Sequence, residues 1–201
     1  MSENLLRLVV WTDYRLAVIF TVLIPLVLLI WAFVQRVEAI QRLLVIYWRV
    51  ASLLAVTVYL MIAALPIGFL TGWLARVLIP LCLWFWVDLN DDIVDLRAWR
   101  PLKVAFNAWR WAITIYSSAG ALLSLFFVRC SLLNQTTLLT EASQCRLWLD
   151  PPWGFKEYFH PNMTPGFLGF MGIVGLIVYV LSFGYFIFFR LGRQGRSATG
   201  Q

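Results

Sequence analysis

Acidic residues are concentrated in one short stretch of the sequence, WVDLNDDIVDLRAWRPLK, where four carboxylates fall within the eight residues 88–95. Aspartate oxygens are ligands that Mg²⁺ prefers, so this stretch has the composition of a magnesium site. If the stretch is helical, Asp91 and Asp95 share one face and Asp92 lies beside them. The segment is therefore a candidate for metal-dependent chemistry on a diphosphate.

The same segment resembles the first Asp-rich motif of intramembrane aromatic prenyltransferases, an NDxxDxxxD pattern followed by a basic RP pair. Asp91 and Arg100 fit this pattern, but Val94 and Ala98 stand where its second and third aspartates belong. That enzyme family also requires a second Asp-rich motif and many more membrane spans, and this chain has neither. The acids can instead pair with nearby basic residues or with a partner's surface, so we predict no metal site and no catalytic residue.

Arginines also occur inside or beside apolar segments, at Arg49, Arg76 and Arg110. A charge in the membrane is energetically unfavourable and commonly marks a functional site. Arg49 and Arg110 lie near the predicted ends of their helices, where a long side chain can extend to the headgroups. Arg76 lies deeper, and we expect it to extend outward or to pair with an acid of this chain or of a partner. A transport role is the alternative, which is disfavoured because no acid or histidine falls inside a predicted span.

The composition identifies the general class of protein. Hydrophobic residues make up 62% and charged residues only 13% of the 201 residues, and the mean hydropathy is +0.81. Soluble domains are about 45–50% apolar and about 25% charged, so a soluble, disordered or coiled-coil protein is excluded. Three cysteines and one histidine are too few for a disulfide scaffold or a bis-histidine haem site. The net charge of +6 is explained by Lys and Arg on the cytoplasmic side, and not by nucleic acid binding.

Long apolar runs predict an all-α membrane protein that crosses the bilayer about five times, as a single transmembrane domain over residues 1–201. Each run is close to the roughly 20 residues that a spanning helix needs. The predicted helices are 16–34, 43–64, 69–87, 104–128 and 166–189, with an outer loop at 129–165. A four-span arrangement, in which the second and third helices form a re-entrant pair, is the alternative.

The distribution of Lys and Arg predicts the orientation of these helices. Basic residues are more frequent in 35–49, in 88–110 and in the tail from Arg190 than on the opposite side. Because the richer side is cytoplasmic, the amino terminus is predicted to lie outside and the carboxyl terminus inside. Pro25, within the first run, is expected to bend its helix.

The outer loop contains Cys130 and Cys145, which the predicted orientation places in an oxidising compartment. A disulfide between them is expected, and two free thiols are the open alternative. Farther along the loop, aromatic residues including Trp153 and Phe155 alternate with charged ones, which is typical of a segment lying on the membrane surface. His160 is expected to be a surface residue, because a lone histidine gives little support to a metal site.

The last apolar run carries Gly166, Gly169, Gly172 and Gly175 at intervals of three residues. Small residues let helix backbones approach each other closely in a lipid environment. The stripe can therefore pack against another helix of the chain, a partner protein or a rigid cofactor ring. Packing within the chain is the simplest interpretation, and we also treat the stripe as a candidate partner-binding surface.

Four stretches of the sequence carry a family resemblance: WTDYRLAVIFTVLIPLVLLIWAFV, EAIQRLLVIYWRVASLLAVTVYLMI, FKEYFHPNMTPGFLGF and RLGRQGRSA. They are similar to an uncharacterised family of cyanobacterial thylakoid membrane proteins, catalogued as a domain of unknown function. The resemblance covers nearly the whole chain and implies a multi-pass thylakoid protein associated with photosystem II biogenesis, whose outer loop faces the lumen. It implies no site residues, and it leaves bound chlorophyll, carotenoid or lipid open.

Together these features predict a non-catalytic auxiliary or assembly factor that binds membrane subunits of a photosynthetic complex, with photosystem II as the expected complex. Two alternatives remain. One is a small membrane enzyme or lipid- or isoprenoid-binding protein that uses residues 88–95 with Mg²⁺, and the other is a transporter or channel subunit. The residues expected to contact a partner are Asp91, Asp92, Asp95, Trp153, Phe155, Gly166, Gly169, Gly172 and Gly175.

Overall fold

The computed structural model describes residues 3–97, 99–140, 143–186 and 188. Every regular element in these ranges is helical, as the sequence predicts. The basic tail from Arg190, which contributes to the predicted orientation, lies outside the described residues, and so does the predicted end of the last helix at residue 189.

The first helix is continuous over 32 residues, Asn4–Gln35, and begins about three turns before the predicted residue 16. It consists of α1 (Glu3–Ala17), a π-helical segment (Val18–Leu23) and α2 (Ile24–Gln35). The π-helical segment directly precedes Pro25, which has no N–H to donate and whose ring would clash with the preceding turn of an α-helix. The wider turn accommodates this proline without ending the helix.

The extension at the start of α1 is helical because its apolar residues recur at helical spacing. Leu6 and Val10, four residues apart, are buried against Leu147 of the outer loop. Charged residues before Leu16 hide this pattern from a search for uncharged runs. The predicted start of the first helix is therefore too late.

Two long helices follow and meet at a tight turn, α3 (Glu38–Ile62) and α4 (Ile67–Phe85). Ala64 in this turn adopts a left-handed conformation with a φ of 52°, and Pro66 immediately precedes α4. The turn lies at the Leu-Pro-Ile-Gly sequence, where Pro and Gly interrupt the apolar run. Each helix is long and apolar enough to cross a membrane by itself, so these lengths do not favour a re-entrant pair.

Residues 87–125 form a short surface helix and a long helix. These are α5 (Val87–Asp95), which covers the acidic segment, and α6 (Pro101–Leu125), which packs alongside α4. Polar residues such as Asn107, Arg110 and Tyr116 make α6 less apolar than the other long helices. Four helices in the described ranges are long and apolar enough to span a membrane: Asn4–Gln35, Glu38–Ile62, Ile67–Phe85 and Pro165–Tyr185.

The outer loop is folded into short helices. A 3₁₀ turn (Val128–Leu132), α7 (Gln135–Thr140), α8 (Ser143–Leu147) and α9 (Asp150–Phe159) precede the last long helix, α10 (Pro165–Tyr185). A disulfide joins Cys130 to Cys145, whose Cα atoms are 6.0 Å apart. Both cysteines are buried in an apolar cluster with Ala64 and Phe69, so the loop is held against the turn between α3 and α4.

Side chains of α3 and α6 hydrogen-bond to the backbone of the π-helical segment. In an α-helix the carbonyl of Thr21 would accept from residue 25, but Pro25 has no N–H. The hydroxyl of Tyr47 donates to this carbonyl at 2.8 Å, and the indole nitrogen of Trp109 donates to the carbonyl of Phe20 at 2.9 Å. Because the hydrocarbon core holds no water to replace a missing partner, these donors stabilise the irregular turn.

Candidate functional site

A charged cluster lies between α1, α4 and α6. Arg76 of α4 donates a hydrogen bond to the carboxylate of Asp13 in α1 and forms an ion pair with it. The hydroxyl of Tyr116 in α6 donates to the same aspartate, 2.9 Å from Oδ1 and 2.8 Å from the backbone oxygen. The Arg76 guanidinium carbon also lies 5.6 Å from the centroid of the Tyr116 ring. The side chains of Arg76 and Asp13 are 13% and 18% exposed, so the three helices largely enclose the pair.

Gly120 provides the space that the arginine occupies. A Cβ atom at this position would overlap the Arg76 guanidinium. Gly120 follows Tyr116 by about one helical turn, so the same face of α6 binds the aspartate and makes room for the arginine. The cluster therefore links three helices through one neutralised pair of charges.

The sequence predicts that Arg76 extends outward or pairs with an acid, and the structure shows the pairing. The expectation that no acid lies inside a spanning helix is wrong, because Asp13 lies within the candidate span Asn4–Gln35. A search for uncharged runs misses it, since such a run starts only at Leu16. The helical spacing of apolar residues before Asp13 is the signal that extends the helix far enough to include it.

A second buried arginine connects α6 to the short helix α5. Arg110 is 6% exposed, and its Nη1 donates to Oδ1 of Asn90. Its guanidinium carbon lies 4.0 Å from the centroid of the Trp84 ring, well within the range of a cation–π contact. Asn90 also donates to the backbone oxygen of Trp86 at 2.7 Å. Arg110 therefore does not extend to the headgroups as predicted, because these groups enclose it and use it to hold α5 against the bundle.

α5 is a surface helix with one apolar face and one acidic face. Leu89 and Ile93 are fully buried, whereas Asp91, Asp92 and Asp95 are exposed. In the part of the chain that the structure describes, no three His, Cys, Asp or Glu side chains are grouped in a way that could hold a metal ion. The resemblance to the prenyltransferase motif is weakened further, because its asparagine faces inward to the buried arginine.

Two basic residues that follow α5, Arg100 and Lys103, bind backbone and amide oxygens. Lys103 donates to the backbone oxygens of Val94 and Leu96, at 2.7 and 2.6 Å. Arg100 donates to the side chain of Gln35 at 3.2 Å and to its backbone oxygen at 3.4 Å. These cations hold the end of α5 and connect the start of α6 to α2. The acidic face of α5 is consequently left directed towards solvent.

The glycine stripe of α10 packs against α3 of the same chain. A Cβ atom at Gly172 would lie 3.0 Å from the backbone nitrogen of Leu60, so the two backbones are in direct contact. Gly166 has open space beside it. The neighbours of Gly169, Gly172 and Gly175 are Ala63, Leu60 and Val56, respectively. These three glycines, for which a partner contact is predicted, therefore make an internal contact with α3.

Replacing Gly172 by Leu is expected to lower the free energy of unfolding by about 1–3 kcal/mol. The new side chain would meet backbone atoms of Leu60 and Tyr59, which cannot rotate away as a flexible side chain can. Thermal unfolding of the purified protein in detergent measures the loss. Gly166→Leu is the matched control, since nothing lies within 4 Å of a Cβ atom there. Equal losses in the two variants would contradict the packing assigned to the stripe.

A groove of about 1050 Å³ opens between α3, α4 and α10. Its walls are mainly apolar, and Arg42 and Arg49 lie along its α3 side. No single sequence pattern predicts it, because it depends on how α3, α4 and α10 pack against one another. The one sequence signal that points to it is the spacing of the two arginines, seven residues apart and therefore on the same face of α3.

Comparison with known proteins identifies a family but no function. The sequence model of a family described as "Protein of unknown function (DUF3177)" matches residues 7–199. The chain belongs to this family. No curated protein and no solved structure matches it. The match includes the two buried arginine clusters, α5, α10 and the groove, so all of them belong to the domain that defines the family.

The aromatic segment of this family member's outer loop lies against the end of α3. The indole of Trp153 donates to the backbone oxygen of Ile62 at 3.1 Å. Nε2 of His160 lies 3.0 Å from the hydroxyl oxygen of Tyr59. The ring centroids of Phe155 and His160 are 5.9 Å apart. Trp153 and Phe155, both partly buried, thus take part in internal contacts where a partner contact is predicted, and His160 is hydrogen-bonded to a spanning helix.

Proposed function

We propose that the protein is a non-catalytic accessory subunit or assembly factor that binds other subunits of a membrane complex. The observation that carries this proposal is the acidic face of α5. Its three exposed aspartates are held on a helix whose opposite face is fixed in the bundle by Leu89 and Ile93. A rigid and concentrated negative surface beside the membrane favours a basic segment of another protein.

The buried charges support a binding role over a transport role. A charge inside the membrane that serves transport lies on a pathway and exchanges partners. Arg76 is instead enclosed with Asp13 and Tyr116, and Arg110 is enclosed with Asn90 and Trp84. Both clusters connect neighbouring helices, so the polar groups that are available to another molecule lie at the surface.

The proposed complex is photosystem II in the thylakoid membrane, and this assignment rests on the family resemblance given above. In this proposal the distribution of Lys and Arg predicts that α5 lies on the cytoplasmic side and that the outer loop lies in the lumen. The disulfide between Cys130 and Cys145 supports this orientation, because disulfides persist in oxidising compartments.

The proposed topology includes α6 as a fifth membrane span. Its 25 residues extend about 37 Å at 1.5 Å per residue, which is enough to cross a hydrocarbon core of about 30 Å. The helix starts beside Gln35, where Arg100 binds the end of α2, and it ends next to the outer loop. Its polar residues Arg110 and Tyr116 are paired inside the bundle, which makes its lower hydropathy tolerable in a membrane.

Replacing Asp91, Asp92 and Asp95 together by Asn is expected to reduce recovery of the partner complex about tenfold. Asparagine keeps the size and polarity of these side chains but removes the negative charge that would attract a basic segment. The measurement is purification of the tagged full chain from its native membranes in mild detergent, with photosystem II subunits quantified by mass spectrometry. The interaction should also weaken as salt is raised, because exposed charges are screened.

Glu157→Gln is the matched control for this experiment. Glu157 is an exposed carboxylate of α9 in the outer loop, at the end of the molecule opposite α5. This variant should recover the complex as the wild type does, and all variants should accumulate to the same level. Full recovery of the complex by the triple variant would overturn the proposal. Loss of an Mg²⁺-dependent turnover in that variant, with recovery unchanged, would favour the membrane-enzyme alternative instead.

A further inference from the structure

The groove between α3, α4 and α10 has the shape of a binding site for a single chain. The glycines of α10 hold it against α3 near Leu60, and a space lined by both helices and by α4 lies towards the end of the molecule that carries α5. The space between them is lined by Val45 on α3, by Leu78 on α4 and by Val178 on α10. Three helices thus enclose an apolar channel that is open on its remaining side.

The dimensions of the groove match a lipid in one leaflet. Its α3 wall runs from Gln41 to Val56, which is about 22 Å at 1.5 Å per residue. One leaflet contributes about 15 Å of a hydrocarbon core of about 30 Å, and the headgroup lies beyond it. A flexible acyl chain can lie along apolar walls of this length.

The charges of the groove favour an anionic molecule. Arg42 and Arg49 both line it, and Arg42 is paired with Glu38 at 3.1 Å. No carboxylate in the described ranges lies within 4 Å of the Arg49 guanidinium. α3 begins five residues before the predicted residue 43, so Arg49 lies eleven residues into the helix, about 16 Å from its start, and its side chain is exposed. An exposed arginine in the groove wall is available to an anion, and its planar donor groups match a phosphate.

We propose that this groove binds one anionic glycerolipid, with its phosphate on Arg49 and Arg42 and an acyl chain between α3, α4 and α10. The lipid occupies the space between Val45 of α3, Leu78 of α4 and Val178 of α10, beyond the glycine contacts near Leu60. It thereby completes the packing of α10, which is held against α3 by its glycines. This site is separate from the acidic face of α5 and does not depend on the proposed partner complex.

Native mass spectrometry of the full chain in detergent tests this proposal, with phosphatidylglycerol and phosphatidylcholine as probes. The wild type is expected to retain one phosphatidylglycerol at least tenfold more tightly than phosphatidylcholine. Arg42→Gln combined with Arg49→Gln should remove this preference. Val178→Trp, which fills the apolar channel and leaves both arginines in place, should weaken the binding of phosphatidylglycerol.

Arg97→Gln is the matched control, because Arg97 is an exposed arginine at the same end of the molecule but outside the groove. It should bind phosphatidylglycerol as the wild type does. Thermal unfolding in detergent without added lipid verifies that each variant is folded. Equal retention of the two lipids, an unchanged preference in the double arginine variant, or equally tight binding of inorganic phosphate alone would overturn the proposal.

Discussion

Replacing Arg76 by Gln is expected to lower the free energy of unfolding by about 3–5 kcal/mol, the typical result of removing one partner from a buried ion pair. The variant leaves Asp13 charged and enclosed between α1, α4 and α6, and among the described residues only the Tyr116 hydroxyl remains as a side-chain donor to its carboxylate. The glutamine side chain is also too short to fill the space beside Gly120. Thermal and denaturant unfolding in detergent, together with accumulation in membranes, measures the loss.

A double variant separates the charge effect from the packing effect. Asp13→Asn combined with Arg76→Gln removes both charges, so it should be more stable than Arg76→Gln alone. Arg129→Gln is the matched control, since Arg129 is exposed at the end of the bundle and its loss should change stability by less than about 0.5 kcal/mol.

The behaviour of Arg76→Gln also distinguishes the structural role from a transport role. An Arg76→Gln protein that is as stable as the wild type would contradict the pairing assigned to Asp13. If that stable variant also altered solute flux in reconstituted vesicles, the transporter alternative would be favoured. The structure predicts the opposite result, with poor accumulation of the variant and no specific change in flux.

Removing the disulfide between Cys130 and Cys145 is expected to lower the free energy of unfolding by about 3 kcal/mol, the value for closing a loop of about 15 residues. Cys130 is 0% and Cys145 is 6% exposed in an apolar cluster. The test therefore replaces both by Ala, because buried serine hydroxyls would add an unrelated loss. Thermal unfolding with and without reductant measures the effect.

The reductant provides the internal control for the disulfide. It should lower the unfolding midpoint of the wild type and leave that of the double alanine variant unchanged. Mass spectrometry of protein taken directly from membranes should recover the two cysteine-containing peptides joined. Alkylation of both thiols without prior reduction would show that the bond is not formed, and it would remove the support that the bond gives to a lumenal outer loop.

The sequence predicts the long helices well because their signal is local. Apolar runs with few charges place α3, α4 and the start of α10 within a few residues of their observed positions. The start of α1 is missed because Asp13 and Arg15 interrupt its run, although these charges are tolerated once Asp13 is paired with a residue on another helix. Partners that lie 63 residues apart in sequence leave no local pattern.

The candidate sites show the same division between local and non-local signals. The acidic face of α5 follows from the spacing of Asp91 and Asp95, which is a local property. The inward orientation of Asn90 depends on Arg110, and the groove depends on how α3, α4 and α10 pack together. The glycine stripe is visible in the sequence, but whether it faces α3 or a partner is decided only by the packing of the whole bundle.

The most direct test of the proposed function is purification of the full chain, tagged after Gln201, from its native membranes in mild detergent. Native gel electrophoresis, absorption spectra and mass spectrometry of each band then identify what remains bound. An accessory subunit or assembly factor of photosystem II predicts a large pigmented band that contains the tagged protein and photosystem II subunits in a constant ratio. A small colourless band that contains the tagged protein without a stoichiometric partner would contradict this function.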